Sequence, residues 1–283
     1  MNEALICDVC FHHCALKDGQ IGFCGARSNA DGKIVPLNYG KLSSIALDPI
    51  EKKPLARFYP GSKILSVGSF GCNLHCPFCQ NSEISWSKQA CAYMKKADTI
   101  LPEELLNIAI RLKDKGNIGI AFTYNEPLIG YEYVLDCAKL FHEAGMKCVL
   151  VSNGTAELSV LSKILPYIDA MNIDLKGFTD RFYSDLVKGD LQQVKSFLEE
   201  AAKSTHLEVT TLIIPDENDS EEEMRQISSF IASLHNGRDI PLHASRFFPH
   251  FHMLDKDPTP VKTVYRLCEV AREKLNFVYP GNC

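Results

Sequence analysis

The sequence predicts an α/β fold, a partial (β/α)6 TIM-like barrel with a small cysteine-rich N-terminal metal-binding appendage. Two observations carry this. From Lys63 onward, short β-branched runs alternate with amphipathic helical stretches, the pattern of successive βα units around a parallel sheet. Residues 1–60 instead hold four cysteines among glycines and prolines, with no helical stretch of useful length, and read as a metal-stapled segment ahead of a barrel over residues 61–283. The turn residues Phe58–Ser62, FYPGS, mark the boundary.

The candidate strands are Ile64–Ser69, Ile118–Thr123, Cys148–Ser152, Met171–Asp174, Leu207–Ile213 and Leu242–Phe247. Helical periodicity covers Pro102–Lys115, where Leu105, Ile108, Ala109 and Leu112 share a face, then Tyr131–Ala144, Glu157–Leu165, Leu191–Lys203, Ser220–Leu234 and Pro260–Lys274. Phe277–Tyr279 adds a peripheral seventh strand. In such barrels the chemistry sits where strands end and loops begin, and this ranks the motifs by position.

The 283 residues carry a net charge of −5 with no lysine or arginine run longer than two, which argues against a nucleic-acid partner. No basic segment followed by an apolar stretch opens the chain, and no apolar run approaches membrane-spanning length, so a cytoplasmic protein without a membrane partner is expected. Twelve cysteines in a chain of this length favour metal ligation over disulfides. Seven fall in two clusters; Cys91, Cys137, Cys148, Cys268 and Cys283 are scattered and read as isolated thiols.

The stretch GCNLHCPFCQN places Cys72, Cys76 and Cys79 directly after the first barrel strand. Spacing alone leaves open a structural zinc site closed by a fourth ligand, with His75 a candidate, or reduced core thiols. It also fits a [4Fe–4S] cluster, which has four irons, so that three thiolates leave one iron open. With an aromatic, Phe78, before the last cysteine, the motif resembles the radical S-adenosylmethionine (SAM) superfamily, whose open iron is chelated by the amino and carboxylate groups of SAM.

Further strand ends carry the same resemblance. FTYNEP, Phe122–Pro127, is similar to the GGEP-like segment that contacts the methionyl amino group, which implies Glu126, with Tyr124 and Asn125 beside it, although Asn125 and Glu126 also suit a helix N-terminus. VSNG and NIDLK end the next two strands. Asp174 and Lys176 lie on one strand face and suit a structural ion pair; resemblance to glycyl-radical-enzyme activases implies that they, with Ser152 and Asn153, bind SAM near its carboxylate and ribose. Val151 stands where those activases have a cation-binding aspartate, so no monovalent cation is expected. A histidine on the last strand contacts SAM in the activases; His243 matches it, against the reading of a satisfied core histidine. DPIEKKPL, GCNLHCPFCQN, FTYNEP, MNIDLK, EVTTLIIP and SRFFP, in that order, most resemble the radical enzymes of the AmmeMemoRadiSam system, pyruvate formate-lyase-activating-like proteins.

The resemblance implies a radical SAM oxidoreductase. Its cluster reductively cleaves SAM to a 5′-deoxyadenosyl radical that abstracts hydrogen from a small-molecule or protein substrate, and a flavodoxin- or ferredoxin-like protein supplies the electron. Glycyl-radical-enzyme activation is the alternative, and a non-enzymatic iron–sulfur or zinc scaffold a further one. Cys7, Cys10, Cys14 and Cys24 lie within 18 residues, the spacing of a second metal site, zinc or another iron–sulfur cluster.

Overall fold

The computed structural model describes residues 3–283. The chain opens with two short antiparallel ladders, β1 (Leu5–Ile6) with β2 (Ala15–Leu16) and β3 (Arg27–Ala30) with β4 (Lys33–Pro36). Next comes β5 (Ser44–Pro49), which pairs antiparallel with β6 (Lys63–Gly68) and so belongs to the main sheet. Parallel strands follow: β7 (Asn117–Phe122), β8 (Lys147–Ser152), β9 (Ala170–Asp174), β10 (His206–Ile213), β11 (Leu242–Arg246) and β12 (Val278–Gly281). The eight strands lie in the order β12-β11-β10-β9-β8-β7-β6-β5. Every strand expected from the sequence is present, with the Phe277–Tyr279 stretch realised as β12. The segment 1–60, however, divides at Ser44, because its last part is an edge of the barrel sheet.

Between β6 and β7 lie α1 (Ser82–Ser85), α2 (Lys88–Lys96) and α3 (Pro102–Arg111). The other crossovers are α4 (Tyr131–Glu143), α5 (Leu158–Ile164), α6 (Leu191–Ala201), α7 (Glu221–Ser233) and α8 (Val261–Arg272). Their starts follow from local chemistry. Asp190 accepts from the amides of Gln192 and Gln193, and Ser220 from that of Glu223, each satisfying helix donors that have no partner within the helix.

Alternation along the strands sorts the side chains into two layers. Leu65, Val67, Ile120, Phe122, Leu150, Ile173, Val209 and Leu242 face the helices in one large core. Ile64, Ala121, Val149 and Ala170 face inward and pack on Ile50, Leu55 and Phe58. The segment between β5 and β6 therefore closes the lower end of the barrel as a plug.

Glu208, fully buried on β10, holds that plug. Its carboxylate accepts from the amides of Ala56 (2.9 Å) and Arg57 (2.8 Å) and pairs with the Nε2 atoms of His206 (2.9 Å) and His243 (2.6 Å). Asn172 on β9 adds a bond from Nδ2 to the Pro54 carbonyl at 2.7 Å, and its own Oδ1 accepts from the Thr210 hydroxyl. Burial alone would raise the Glu208 pKa, but the two imidazoles and two amides pull it down to about 2 from an ordinary 4.5.

A folded-state pKa below the unfolded one means that the stabilisation is present above pH 4.5 and is lost as the pH falls through about 2. At 1.36 kcal/mol per pKa unit the contribution is about 3 kcal/mol. Glu208→Gln should therefore lower stability at pH 7 by that order and flatten the loss of stability on acidification. Urea titrations from pH 3 to 7 would show this; parallel pH profiles for the two proteins would refute it.

Candidate active site

Above the plug the inward-facing strand ends and the loops beyond them line a cavity of about 350 Å³. The loop carrying Cys72, Cys76 and Cys79 caps one side and is held at several points. The Ser69 amide donates to Asn125 Oδ1, and Asn125 Nδ2 donates to the Gly71 carbonyl, both at 2.9 Å. The Cys72 amide bonds to the Cys24 carbonyl, the His75 amide to the Val187 carbonyl, and the Pro77 carbonyl accepts from the His252 amide. Gly71 has φ +90°, and a Cβ there would stand 2.7 Å from the Cys24 carbonyl oxygen, so only glycine fits.

The three thiols converge on the cavity, with Cys76 buried and Cys72 and Cys79 half-buried. Burial pushes the Cys76 thiol up to about 12 and the Cys72 thiol well above its ordinary value, the latter helped by nearby Glu126. Thiols so placed ionise only against a strong positive charge, which iron supplies. Cys72 Sγ also receives the Leu74 amide at 3.4 Å and Asn153 Nδ2 at 3.7 Å, the kind of hydrogen bonding that tunes a cluster thiolate. The donor set fits a three-cysteine cluster. Among the described residues, no three His, Cys, Asp or Glu side chains stand close enough to share a single metal ion.

Beside the thiols, Glu126 is buried and fully engaged. Its carboxylate accepts from the Leu128 amide (3.0 Å), the Ser152 hydroxyl (2.9 Å) and the Asn153 amide (2.8 Å), which ties the loop after β7 to the one after β8. Burial outweighs these donors and raises its pKa to about 7. Asn153 continues the chain of contacts through Nδ2 to Asn73 Oδ1, inside the cysteine loop. Asp174 and Lys176 form an ion pair of 2.7 Å at the cavity wall. Burial opposes the Lys176 charge, yet Asp174 and Cys76 hold its pKa above the ordinary lysine value.

The cavity thus gathers Cys72, Cys76, Phe78, Cys79, Tyr124, Asn125, Glu126, Ser152, Asn153, Asp174 and Lys176. His243 does not join them. It lies two residues before Ser245, which does line the cavity, and so sits one layer deeper, paired with Glu208. The core-histidine reading describes it, and its work is to fasten the plug.

Residues that the sequence did not assign complete the wall: Lys52 and Lys53 from the plug, with Asn172, Thr210 and Ser245. Lys53 Nζ is 3.0 Å from Asp48 Oδ2, and the Tyr124 hydroxyl donates to the same oxygen at 2.6 Å. The signal was the charged run of DPIEKKPL, which lies ahead of the boundary drawn at residue 60.

Aromatic rings pave the outer face of the cysteine loop. Phe11, His12, Phe23, His75, Trp86 and Phe251 follow one another at centroid distances of 3.9–4.9 Å. The N-terminal cysteines lie beside this row, with Cys7, Cys10 and Cys24 buried and Cys14 half-buried. His12 Nε2 hydrogen-bonds the Asn73 carbonyl at 2.9 Å, so the two cysteine loops abut.

Residues 66–227, more than half of the chain, match the Radical SAM superfamily. A Methanocaldococcus jannaschii protein, MJ0808, is 40% identical over 279 residues, 98% of this chain and 80% of that one. The pyruvate formate-lyase-activating enzyme of Clostridium pasteurianum is 25% identical over 176 residues, 61% of this chain and 71% of that one. Streptococcus suis SuiB bound to S-adenosylmethionine shares the fold at a TM-score of 0.57 with 13% identity, covering 75% of this chain and 48% of that one. A mostly parallel partial barrel with three cysteines after its first parallel strand defines the class, and this chain belongs to the radical SAM superfamily. Within it the chain is similar to pyruvate formate-lyase-activating enzymes.

Asn125 bridges the cysteine loop and the loop after β7 by two bonds. Asn125→Ala should cost about 2 kcal/mol and lower the iron and sulfide retained after anaerobic reconstitution. Iron analysis and thermal melts would show both, and unchanged iron content would refute the bridging role.

Proposed function

We propose that the chain holds a [4Fe–4S] cluster through Cys72, Cys76 and Cys79 and binds SAM at its open iron. When bound, the cluster and SAM would supply one-electron reductive cleavage to methionine and a 5′-deoxyadenosyl radical that takes hydrogen from a substrate. The observation that carries this reading is the convergence of three thiols, one buried and two half-buried, without a fourth cysteine, on the cavity that also holds Glu126, Asn153 and the Asp174–Lys176 pair. Glu126, held by three donors and with its pKa raised to about 7 by burial, would meet the methionyl ammonium of SAM, whose charge favours the carboxylate form. Lys176 remains charged and suits the methionyl carboxylate. The plug and helices shield the cavity from below and outside, as radical chemistry requires.

A small-molecule substrate is favoured by the polar lower wall of the cavity, where Lys52 and Lys53 stand beside Asn172 and Thr210, the last two already bonded to the plug and to each other. Glycyl-radical-enzyme activation is the second reading, supported by the relative from Clostridium pasteurianum. The electron would come from a flavodoxin- or ferredoxin-like protein. Cys7, Cys10, Cys14 and Cys24 would hold a second iron–sulfur cluster, or zinc if their thiols drew closer together than they stand here. The abutment of this segment on the cysteine loop at Asn73 and Cys24 supports a role in seating that loop or passing an electron to it. Among the described residues no helix is long and apolar enough to cross a membrane.

Replacing any one of Cys72, Cys76 or Cys79 by alanine should abolish 5′-deoxyadenosine formation from SAM under dithionite, a loss of at least about a thousandfold if the cluster supplies the electron. Anaerobic product analysis tests this. Wild-type rates in such a variant would sink the proposal, as would an electron paramagnetic resonance spectrum of the reduced wild type that SAM leaves unchanged.

A further inference from the structure

The cavity has a second pole that the SAM contacts leave unused. At its lower wall Lys52 and Lys53 share one carboxylate: Lys52 Nζ lies 3.2 Å from Asp48 Oδ1, and Lys53 Nζ lies 3.0 Å from Asp48 Oδ2. Two ammonium groups against one carboxylate leave one positive charge beside the cavity. The lysines differ in setting, since the Lys52 side chain is 67% exposed and that of Lys53 only 2%. We propose that this pole binds a small 2-oxo acid, with Lys52 pairing with its carboxylate and Lys53 condensing with its carbonyl. The proposal rests on the reading above only in placing SAM at the other end of the cavity.

Several features support a chemical role for Lys53. A buried ion pair is a poor way to stabilise a floor that apolar groups would close as well. The chain also accepts strain to build this one. Tyr124, whose hydroxyl shares Asp48 Oδ2, adopts a left-handed φ of +72° that disfavours a bulky side chain. Its ring needs Gly68 opposite, where a Cβ would approach Tyr124 Cδ2 to 2.8 Å. Lys53 Nζ stands 4.4 Å from the centre of the same ring. Burial lowers the Lys53 pKa, and Lys52 adds to this while Asp48 opposes it; the net shift is downward, towards the neutral amine that attacks carbonyls.

The step balances without oxidant or reductant. The ammonium releases a proton, and the Nζ lone pair bonds to the carbonyl carbon while the C=O π electrons pass to oxygen, which takes up that proton. The resulting hydroxyl leaves as water, carrying a second proton from nitrogen, and the nitrogen, which keeps its third proton, becomes the iminium ion. Its single positive charge replaces that of the ammonium, so the Asp48 carboxylate keeps a cationic partner throughout.

The full chain, isolated anaerobically, would be incubated with pyruvate and sodium cyanoborohydride and the modified lysines mapped by tandem mass spectrometry. The expected result is a saturable reduced adduct confined to Lys53, absent in Lys53→Arg. In Lys52→Ala the half-saturating pyruvate concentration should rise about tenfold, the loss of one charge-assisted contact. Adducts at exposed lysines such as Lys33 and Lys188 with none above their level at Lys53 would overturn the proposal, and the wild type alone gives that result even if Lys53→Arg fails to fold. An unchanged half-saturation in Lys52→Ala would overturn the assigned carboxylate contact. Trapping needs neither cluster nor SAM, so an adduct without 5′-deoxyadenosine formation would sink the radical SAM reading alone, and the reverse outcome would sink only this one.

Discussion

The capture of two backbone amides by the Glu208 carboxylate is the constraint from which the rest of the site follows. A parallel sheet curled this far leaves an open lower end, and the segment between β5 and β6 fills it only because Ala56 and Arg57 are held from inside the barrel. With the plug fixed, Ile50, Leu55 and Phe58 complete the inner core, and Lys52 and Lys53 are carried up to the cavity wall. His206 and His243 satisfy the remaining capacity of the carboxylate, so the buried charge is solvated by the protein itself. A polar device of this kind costs more than an apolar floor would, and in return it fixes the register of a segment with little secondary structure of its own.

The upper end is built differently, from loops fastened to one another by side chains. Glu126 ties the β7 loop to the β8 loop, Asn125 ties it to the cysteine loop, and Asn153 reaches Asn73 within that loop. Each bond joins residues far apart in sequence, so the loops hold their geometry together or lose it together. The three thiols are thereby set at fixed positions before any metal binds, which lowers the ordering cost of assembling a cluster site.

Much of this was legible in the sequence. The parallel strands announce themselves as apolar runs of the right length, and the residues immediately after them, Cys72, Glu126, Asn153 and Lys176, fall at the cavity by that position alone. Depth within the barrel was not legible. His243 and Ser245 share a strand face, yet two residues of rise separate a plug contact from a cavity contact, and nothing local distinguishes them. Glu208 left a trace, a carboxylate between Leu207 and Val209 in an apolar strand, but its partners lie about 150 residues earlier in a stretch that reads as a turn. Strand β5 was missed for a related reason: six residues ending in proline carry too little alternation to be recognised without the neighbour that pairs with them.

The sheet does not close on itself. Its end strands, β5 and β12, carry no ladder between them, while Lys52 on one side and Asn282 on the other both border the cavity. Everywhere else a change in circumference must break backbone hydrogen bonds; along this seam it need only part side chains. The barrel therefore behaves less like a rigid cup than like a split ring, and the split runs beside the Lys52 end of the cavity. A guest bulkier than the resting space can be admitted there by a small opening of the ring while the cysteine loop, tied through Asn125 and Asn153 to the strands beyond β6, keeps its shape.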